Sequence, residues 1–200
     1  MRPKSTGGRR AAFLDRDGVI NTDHGYVHRW DEFEFVPGVI KAMQRLHRAG
    51  YALVVVTNQS GIARGMYTEQ EFLQLSTQMQ AHLGSLGVPI TGIYHCPHHP
   101  KGQVPAYAID CACRKPAPGL ILQGIAQHGL DPAASFLVGD KLSDLQAARA
   151  AGVAHAYLVT GKAGEEEAGA GQAADGVFDS LASFVDWLLP DTMAQPTSSR

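Results

Sequence analysis

The chain has 200 residues, of which 44% are hydrophobic and 18% charged, with a formal net charge of −2. This balance excludes a disordered or fibrous chain and suits one α/β domain with its own core. It also excludes the broad basic field that nucleic acid demands, so any anion site has to be local.

Residues 1–10, MRPKSTGGRR, are polar and basic and are expected to be flexible. The apolar run after them is only AAFL, too short for a signal-peptide core or a membrane span, which points to a cytoplasmic protein without a membrane partner. AAFLD (11–15) reads as a first strand. PGVIKAMQRLHRAG (37–50) carries Val39, Ile40, Met43, Leu46 and His47 at helical spacing between Pro37 and Gly50, which are ordinary helix punctuation. YALVVVTN (51–58) is continuously apolar and β-branched, as a strand buried on both faces would be. TEQE (68–71) matches a capping box and opens a helix through Leu86. GIYHC (92–96) is a third strand. PAPGLILQGIAQHGL (116–130), SFLVGD (135–140), LSDLQAARAAG (142–152), AHAYLVT (154–160) and SLASFVDWLL (180–189) then alternate helix, strand, helix, strand, helix. GKAGEEEAGAGQAADG (161–176) is expected as a surface loop, and 191–200 as a flexible tail. Residues 11–190 would thus form a single domain: a doubly wound, Rossmann-like, mainly parallel sheet with helices on both faces.

In such a sheet all carboxyl ends lie on one edge, where ligands bind. Three strands end there in polar residues, at Asp15, Thr57 and Asp140, and Lys115 precedes a helix start set by Pro116 and Pro118. Each piece alone is ordinary: a solvated turn, a packed threonine, a surface lysine. Together, carboxylates from separate strands suit a hard cation such as Mg²⁺, and a lysine with a hydroxyl suits the phosphoryl group beside it.

DRDGV (Asp15, Asp17), VVVTNQSG (Thr57), RKPAPG (Lys115) and GDKLSD (Asp140, Asp144) resemble, in order, the four motifs of the haloacid dehalogenase superfamily of phosphohydrolases, over about residues 11–160. The resemblance implies that Asp15 is the nucleophile and Asp17 the general acid and then base. It implies that Thr57 and Lys115 hold the phosphoryl oxygens, and that Asp15, Asp17 and Asp140 form the Mg²⁺ site. Carboxylate attack would give an aspartyl phosphate, dividing one hard displacement into two easier ones.

A second constellation lies within 96–113. Cys96, His98, Cys111 and Cys113 offer three thiolates and an imidazole, which fits a closed structural Zn²⁺ site; His95 and His99 compete with His98. An odd cysteine count in one short stretch favours metal over disulfides and a reducing compartment. The zinc loop, TDHGYVH (22–28), TNQSGIARG (57–65) and CRKP (113–116) resemble the D-glycero-D-manno-heptose 1,7-bisphosphate 7-phosphatases, and more loosely the histidinol-phosphate phosphatases. That resemblance implies a substrate-contact set of Asp23, His24, Gly25, Tyr26, Asn58, Gln59, Ser60, Arg114 and Lys141. It also implies a small phosphorylated sugar as partner, in nucleotide-activated heptose and lipopolysaccharide core biosynthesis. No stretch is long enough for a large cap domain. Arg64 is either a further phosphate contact or a surface cation, and a monomer is expected. A response-regulator receiver shares the acidic pair, Thr, Lys and Mg²⁺, but its phosphorylated Asp ends a middle strand and lacks an acid/base partner at plus two.

Overall fold

In a computed structural model, residues 8–161 and 169–190 are described; residues 1–7 of the flexible N-terminus expected at 1–10, the tail expected at 191–200 and residues 162–168 of the expected loop lie outside them, while Arg9 bridges Leu130 and the Arg10 carbonyl accepts from Ala52 N. Six parallel strands form one sheet: β1 (Ala11–Leu14), β2 (Ala52–Asn58), β3 (Ile90–Cys96), β4 (Phe136–Gly139), β5 (His155–Val159) and β6 (Gly176–Phe178), in the order β3-β2-β1-β4-β5-β6. The helices are α1 (Val39–Arg48), α2 (Ser60–Ala63), α3 (Glu69–Ser85), α4 (Gly119–His128), α5 (Leu142–Ala150), α6 (Ala170–Ala173) and α7 (Leu181–Leu188).

Side chains alternate across a strand, so β1 feeds two cores. Ala12 and Leu14 join Leu53, Val55, Val138 and Val159 beneath α1, α3 and α7. Ala11 and Phe13 join Val54, Val56, Leu137 and Leu158 beneath α4 and α5. Both faces being covered, the strands show no polar alternation, which is why they read as apolar runs. Each buried Val or Leu contributes about 1.5–3 kcal/mol. The capping box on α3 is present in both halves: Thr68 Oγ1 accepts from Glu71 N, and the Glu71 carboxylate accepts from Thr68 N.

The structure corrects the sequence reading in three places. The expected surface loop at 161–176 holds α6, and at its end begins a sixth strand, Gly176–Phe178, which pairs with β5 through Tyr157↔Gly176 to Val159↔Phe178. A short helix, α2, follows Gln59 directly. Helix α4 begins at Gly119 with Pro118 as its N-cap, so Pro116 and Ala117 stay outside it. No separate cap domain occurs among the described residues.

From β3 the chain crosses to the opposite face through α4 and returns as β4 on the other side of β1. The strand order therefore reverses between β1 and β4, the position at which open α/β sheets form a ligand crevice. Asp15 follows β1 and Asp140 follows β4, so the topology alone sets these two carboxylates side by side.

Candidate active site

Asp15, Asp140 and Asp144 offer carboxylate oxygens within 4.8 Å of one another. Lys115, almost fully buried, is their counter-charge: its Nζ lies 3.0 Å from Asp15 Oδ1 and 2.6 Å from Asp144 Oδ1, and donates to the Val56 carbonyl at 2.8 Å. Burial opposes the ammonium, but Asp144 and Asp15 outweigh it and its pKa rises. Burial pushes Asp15 up to about 6, with Lys115 pulling the other way. Asp140 goes up to about 8, first through burial and then through the charge of Asp15.

The three carboxylates are not equivalent. Asp144 is fully engaged, Oδ1 by Lys115 and Oδ2 by the Lys141 backbone N–H at 3.0 Å. Asp15 Oδ1 takes Lys115 and the Arg16 N–H at 2.8 Å, and no donor among the described residues reaches Oδ2. Asp140 Oδ1 is buried with no hydrogen-bond partner among the described residues. A buried carboxylate oxygen without a donor, beside raised carboxyl groups, fits a divalent cation with oxygen ligands such as Mg²⁺, held by Asp15 and Asp140. Gly18 turns the chain away from this cluster with φ 85, and a Cβ there would meet Asp140 Oδ2 at 2.5 Å. A Cβ at Gly139 would lie 2.4 Å from that of Asp144.

Asp17 also faces the cavity, but its carboxylate is anchored away from the cluster. Arg16, 1% exposed, clamps it through Nε and Nη2 at 2.8–3.2 Å, with Asn21 Nδ2 at 3.0 Å and Gln59 Nε2 at 3.1 Å. Gln59 Nε2 donates to Thr57 Oγ1 as well, at 2.8 Å, while its Oε1 accepts from the Tyr67 hydroxyl at 2.5 Å. The Asn58 amide is spent on the backbone of Lys115.

The cavity, of about 350 Å³, is lined by Asp15, Asp17, Asp23, Gly25, Tyr26, Thr57, Asn58, Gln59, Ser60, Lys115 and Lys141, all expected from sequence. Gly61, Tyr67, Ser143 and Asp144 complete it. The loop after β1 supplies one wall: Asp23 Oδ1 accepts from the Gly25 N–H at 2.9 Å, and Tyr26 takes the left-handed conformation at φ 58. Lys141 Nζ stands 3.4 Å from Asp140 and 3.7 Å from Asp23. His24 instead pairs with Glu34 in the neighbouring depression, and Arg114 donates to the His98 carbonyl. Arg64 reaches His99, with Nη2 to Nε2 at 3.4 Å, and does not line the cavity. Tyr67 and Asn21 had no motif to mark them; Arg16 stands inside DRDG, but nothing in the sequence says which way it turns.

Cys96, His98, Cys111 and Cys113 converge, with sulfur–sulfur distances of 3.1–3.5 Å and His98 Nδ1 at 3.5 Å from Cys113 and 3.7 Å from Cys96. Three thiols and one imidazole match the ligands of structural zinc. The competing histidines are occupied elsewhere: His95 Nε2 pairs with Glu69 at 2.8 Å, and His99 accepts from the Lys101 N–H.

Comparison with known proteins agrees with this geometry. A HAD-hydrolase-like family model matches residues 112–184. A D-glycero-beta-D-manno-heptose-1,7-bisphosphate 7-phosphatase of Yersinia pestis is 54% identical over 175 residues, 87% of this chain and 92% of that protein. Its Escherichia coli K12 counterpart is 55% identical over 175 residues, 87% and 91% of the two chains. The crystal structure of D,D-heptose 1,7-bisphosphate phosphatase from B. bronchiseptica, complexed with magnesium and phosphate, matches with a TM-score of 0.76 at 34% identity, covering 90% of this chain and 98% of that one. With relatives this similar along nearly their whole length, the chain belongs to the D-glycero-beta-D-manno-heptose-1,7-bisphosphate 7-phosphatase family of haloacid-dehalogenase-like hydrolases.

Proposed function

We propose that this chain removes the 7-phosphate of D-glycero-beta-D-manno-heptose 1,7-bisphosphate, in the supply of nucleotide-activated heptose for lipopolysaccharide core. The observation that carries the reading is Asp15 Oδ2, which no donor among the described residues reaches, set beside Lys115 and the buried, unpaired Oδ1 of Asp140 in a cavity walled by the loop at 22–28. Bound at Asp15 and Asp140, Mg²⁺ supplies charge neutralisation for the phosphoryl group.

The residues divide the work as follows. Asp15 Oδ2 forms a bond to phosphorus as the bond to the sugar oxygen breaks, and Asp17 gives its proton to the leaving oxygen. Asp17 then takes a proton from the water that attacks phosphorus, which frees Asp15 and releases phosphate. Thr57, whose hydroxyl hydrogen is left free by the bond it accepts from Gln59, and Lys115 hold the phosphoryl oxygens. Phosphoryl transfer asks chiefly for such positioning and charge balance. Asp23, Gly25, Tyr26, Ser60 and Lys141 surround the sugar.

The cluster of three thiols is in keeping with a reducing cytoplasm, and the low net charge with a monomer that binds no nucleic acid. No helix among the described residues is long and apolar enough to cross a membrane. The test is phosphate release from a panel of phosphorylated sugars and histidinol phosphate. The heptose bisphosphate should give the highest kcat/KM and lose only its 7-phosphate; a preference for histidinol phosphate would overturn the reading.

A further inference from the structure

The buried ammonium of Lys115 is placed by a backbone that belongs to no helix or strand. Lys115 lies two residues after Cys113 and four before the start of α4, and Pro116 after it has no N–H to donate. Among the described residues its own N–H and C=O find no backbone partner; both go to one side chain. Lys115 N donates to Asn58 Oδ1 at 3.0 Å, and Asn58 Nδ2 donates to the Lys115 carbonyl at 3.0 Å. A backbone donor and a backbone acceptor fix the amide in one orientation, with Oδ1 toward the N–H and Nδ2 toward the carbonyl.

Asn58 is the last residue of β2 and follows Thr57 directly. The same strand supplies the Val56 carbonyl that receives Lys115 Nζ at 2.8 Å. One strand end thus holds Lys115 at both extremities, by its peptide and by its ammonium.

We infer that Asn58 is a positioning residue for Lys115: its carboxamide docks the Lys115 peptide on the end of β2 and so fixes the ammonium relative to Thr57 and Asp15, instead of reading the sugar. The inference rests on the phosphatase reading but not on the identity of the sugar. Removing the amide leaves a half-buried N–H and C=O without partners, and the segment between the zinc cluster and α4 loses its tie to the sheet. Asn58→Asp keeps the shape and the acceptor but sets a carboxylate oxygen against the Lys115 carbonyl.

The test compares Asn58→Ala, Asn58→Asp, Lys115→Met and the Asn58→Ala/Lys115→Met pair, all loaded with Zn²⁺ and Mg²⁺. Affinity for orthovanadate is the probe of the phosphoryl site, with kcat and KM measured on the best sugar phosphate. Either Asn58 variant should lower kcat and vanadate affinity roughly 10- to 100-fold, with zinc content unchanged and KM moving by less than about threefold. In the Lys115→Met background, loss of Asn58 should cost no further vanadate affinity, because a residue that acts through another adds nothing once the other is gone. Additive losses in the double variant, or a raised KM at unchanged kcat, would overturn the inference. If heptose bisphosphate is a poor substrate while the vanadate series behaves as expected, the sugar assignment fails and the role of Asn58 stands.

Discussion

Lys115 and Asp144 form a buried ion pair 2.6 Å long directly beneath the nucleophile, and each is 3% exposed or less. Asp144 spends its other oxygen on the Lys141 N–H, so it acts as the post that keeps Lys115 from closing fully onto Asp15. Asp144→Asn leaves that ammonium with Asp15 alone. Breaking one side of a buried pair costs about 3–5 kcal/mol, so the variant should show a denaturant midpoint lowered accordingly, with slower phosphate release. An unchanged midpoint would show that Asp144 is dispensable to the pair.

Asp15 and Asp17 should separate in a quench experiment with substrate labelled in the scissile phosphate. Asp15→Asn removes the attacking oxygen and should form no phosphoenzyme. Asp17→Asn keeps the nucleophile but cannot carry the proton, so formation and breakdown of the phosphoenzyme should both slow, by roughly 100-fold or more. Near-normal turnover in either variant contradicts the assignment.

The acid cluster gives stability a pH dependence whose sign follows from its raised carboxyl groups. Asp15 near 6 and Asp140 near 8, both above the ordinary 3.8, mean that the folded chain binds more protons than the unfolded chain across that interval. Stability of the Mg²⁺-free, zinc-loaded protein should therefore be highest below pH 4 with respect to these two groups and fall as pH rises to about 8. Magnesium, by matching the ionised carboxylates, should raise the melting temperature more at pH 8 than at pH 5. Equal shifts at the two pH values would argue against a cation at Asp15 and Asp140.

Zinc removal should act at a distance on Lys115. Gly119 N donates to the Ala112 carbonyl and Asn58 grips Lys115, so the metal cluster, the Lys115 peptide and α4 form one connected segment. Cys111→Ser should lose zinc, melt at a lower temperature and bind substrate more weakly, all three together. Metal analysis, thermal unfolding and KM on the same preparation decide this. Full affinity in zinc-free protein would uncouple the loop from the site.

Gly61 makes a narrower prediction about the cavity wall. A Cβ there would come within 2.2 Å of the Tyr67 ring and 3.0 Å of the Tyr26 ring. Gly61→Ala should thus displace Tyr67 from Gln59, and with it the amide that touches Asp17 and Thr57. The expected result is a fall in kcat of roughly tenfold or more, and wild-type kinetics would show that the wall yields freely.

Much of this was legible in the chain. The apolar runs that become β1, β2, β4 and β5 announce a buried parallel sheet, because a strand covered on both faces needs apolar residues at every position. The three-residue β6 was not legible: Gly176–Phe178 follows a Gly/Ala/Glu-rich stretch and is too short to show a period, and pairing with β5 is what makes it a strand. Asp15, Thr57 and Asp140 could be named from sequence because the carboxyl ends of parallel strands must share an edge, and Lys115 because RKPAPG sets it before a helix start. The choice of His98 over His95 and His99 could not, since spacing fits all three and only the packing of Glu69 and Arg64 removes the other two.

By itself, then, the sequence determined the fold class and the residue types at the catalytic edge, because periodicity, punctuation and order along the chain are local properties. Only the tertiary structure decided what each polar group is spent on: Asp17 on Arg16, Asn21 and Gln59, Asn58 on Lys115, Asp144 on Lys115, and Asp140 Oδ1 on no group among the described residues. Those partners lie up to 57 residues apart, and a hydrogen bond depends on a few tenths of an ångström that strand register and packing set.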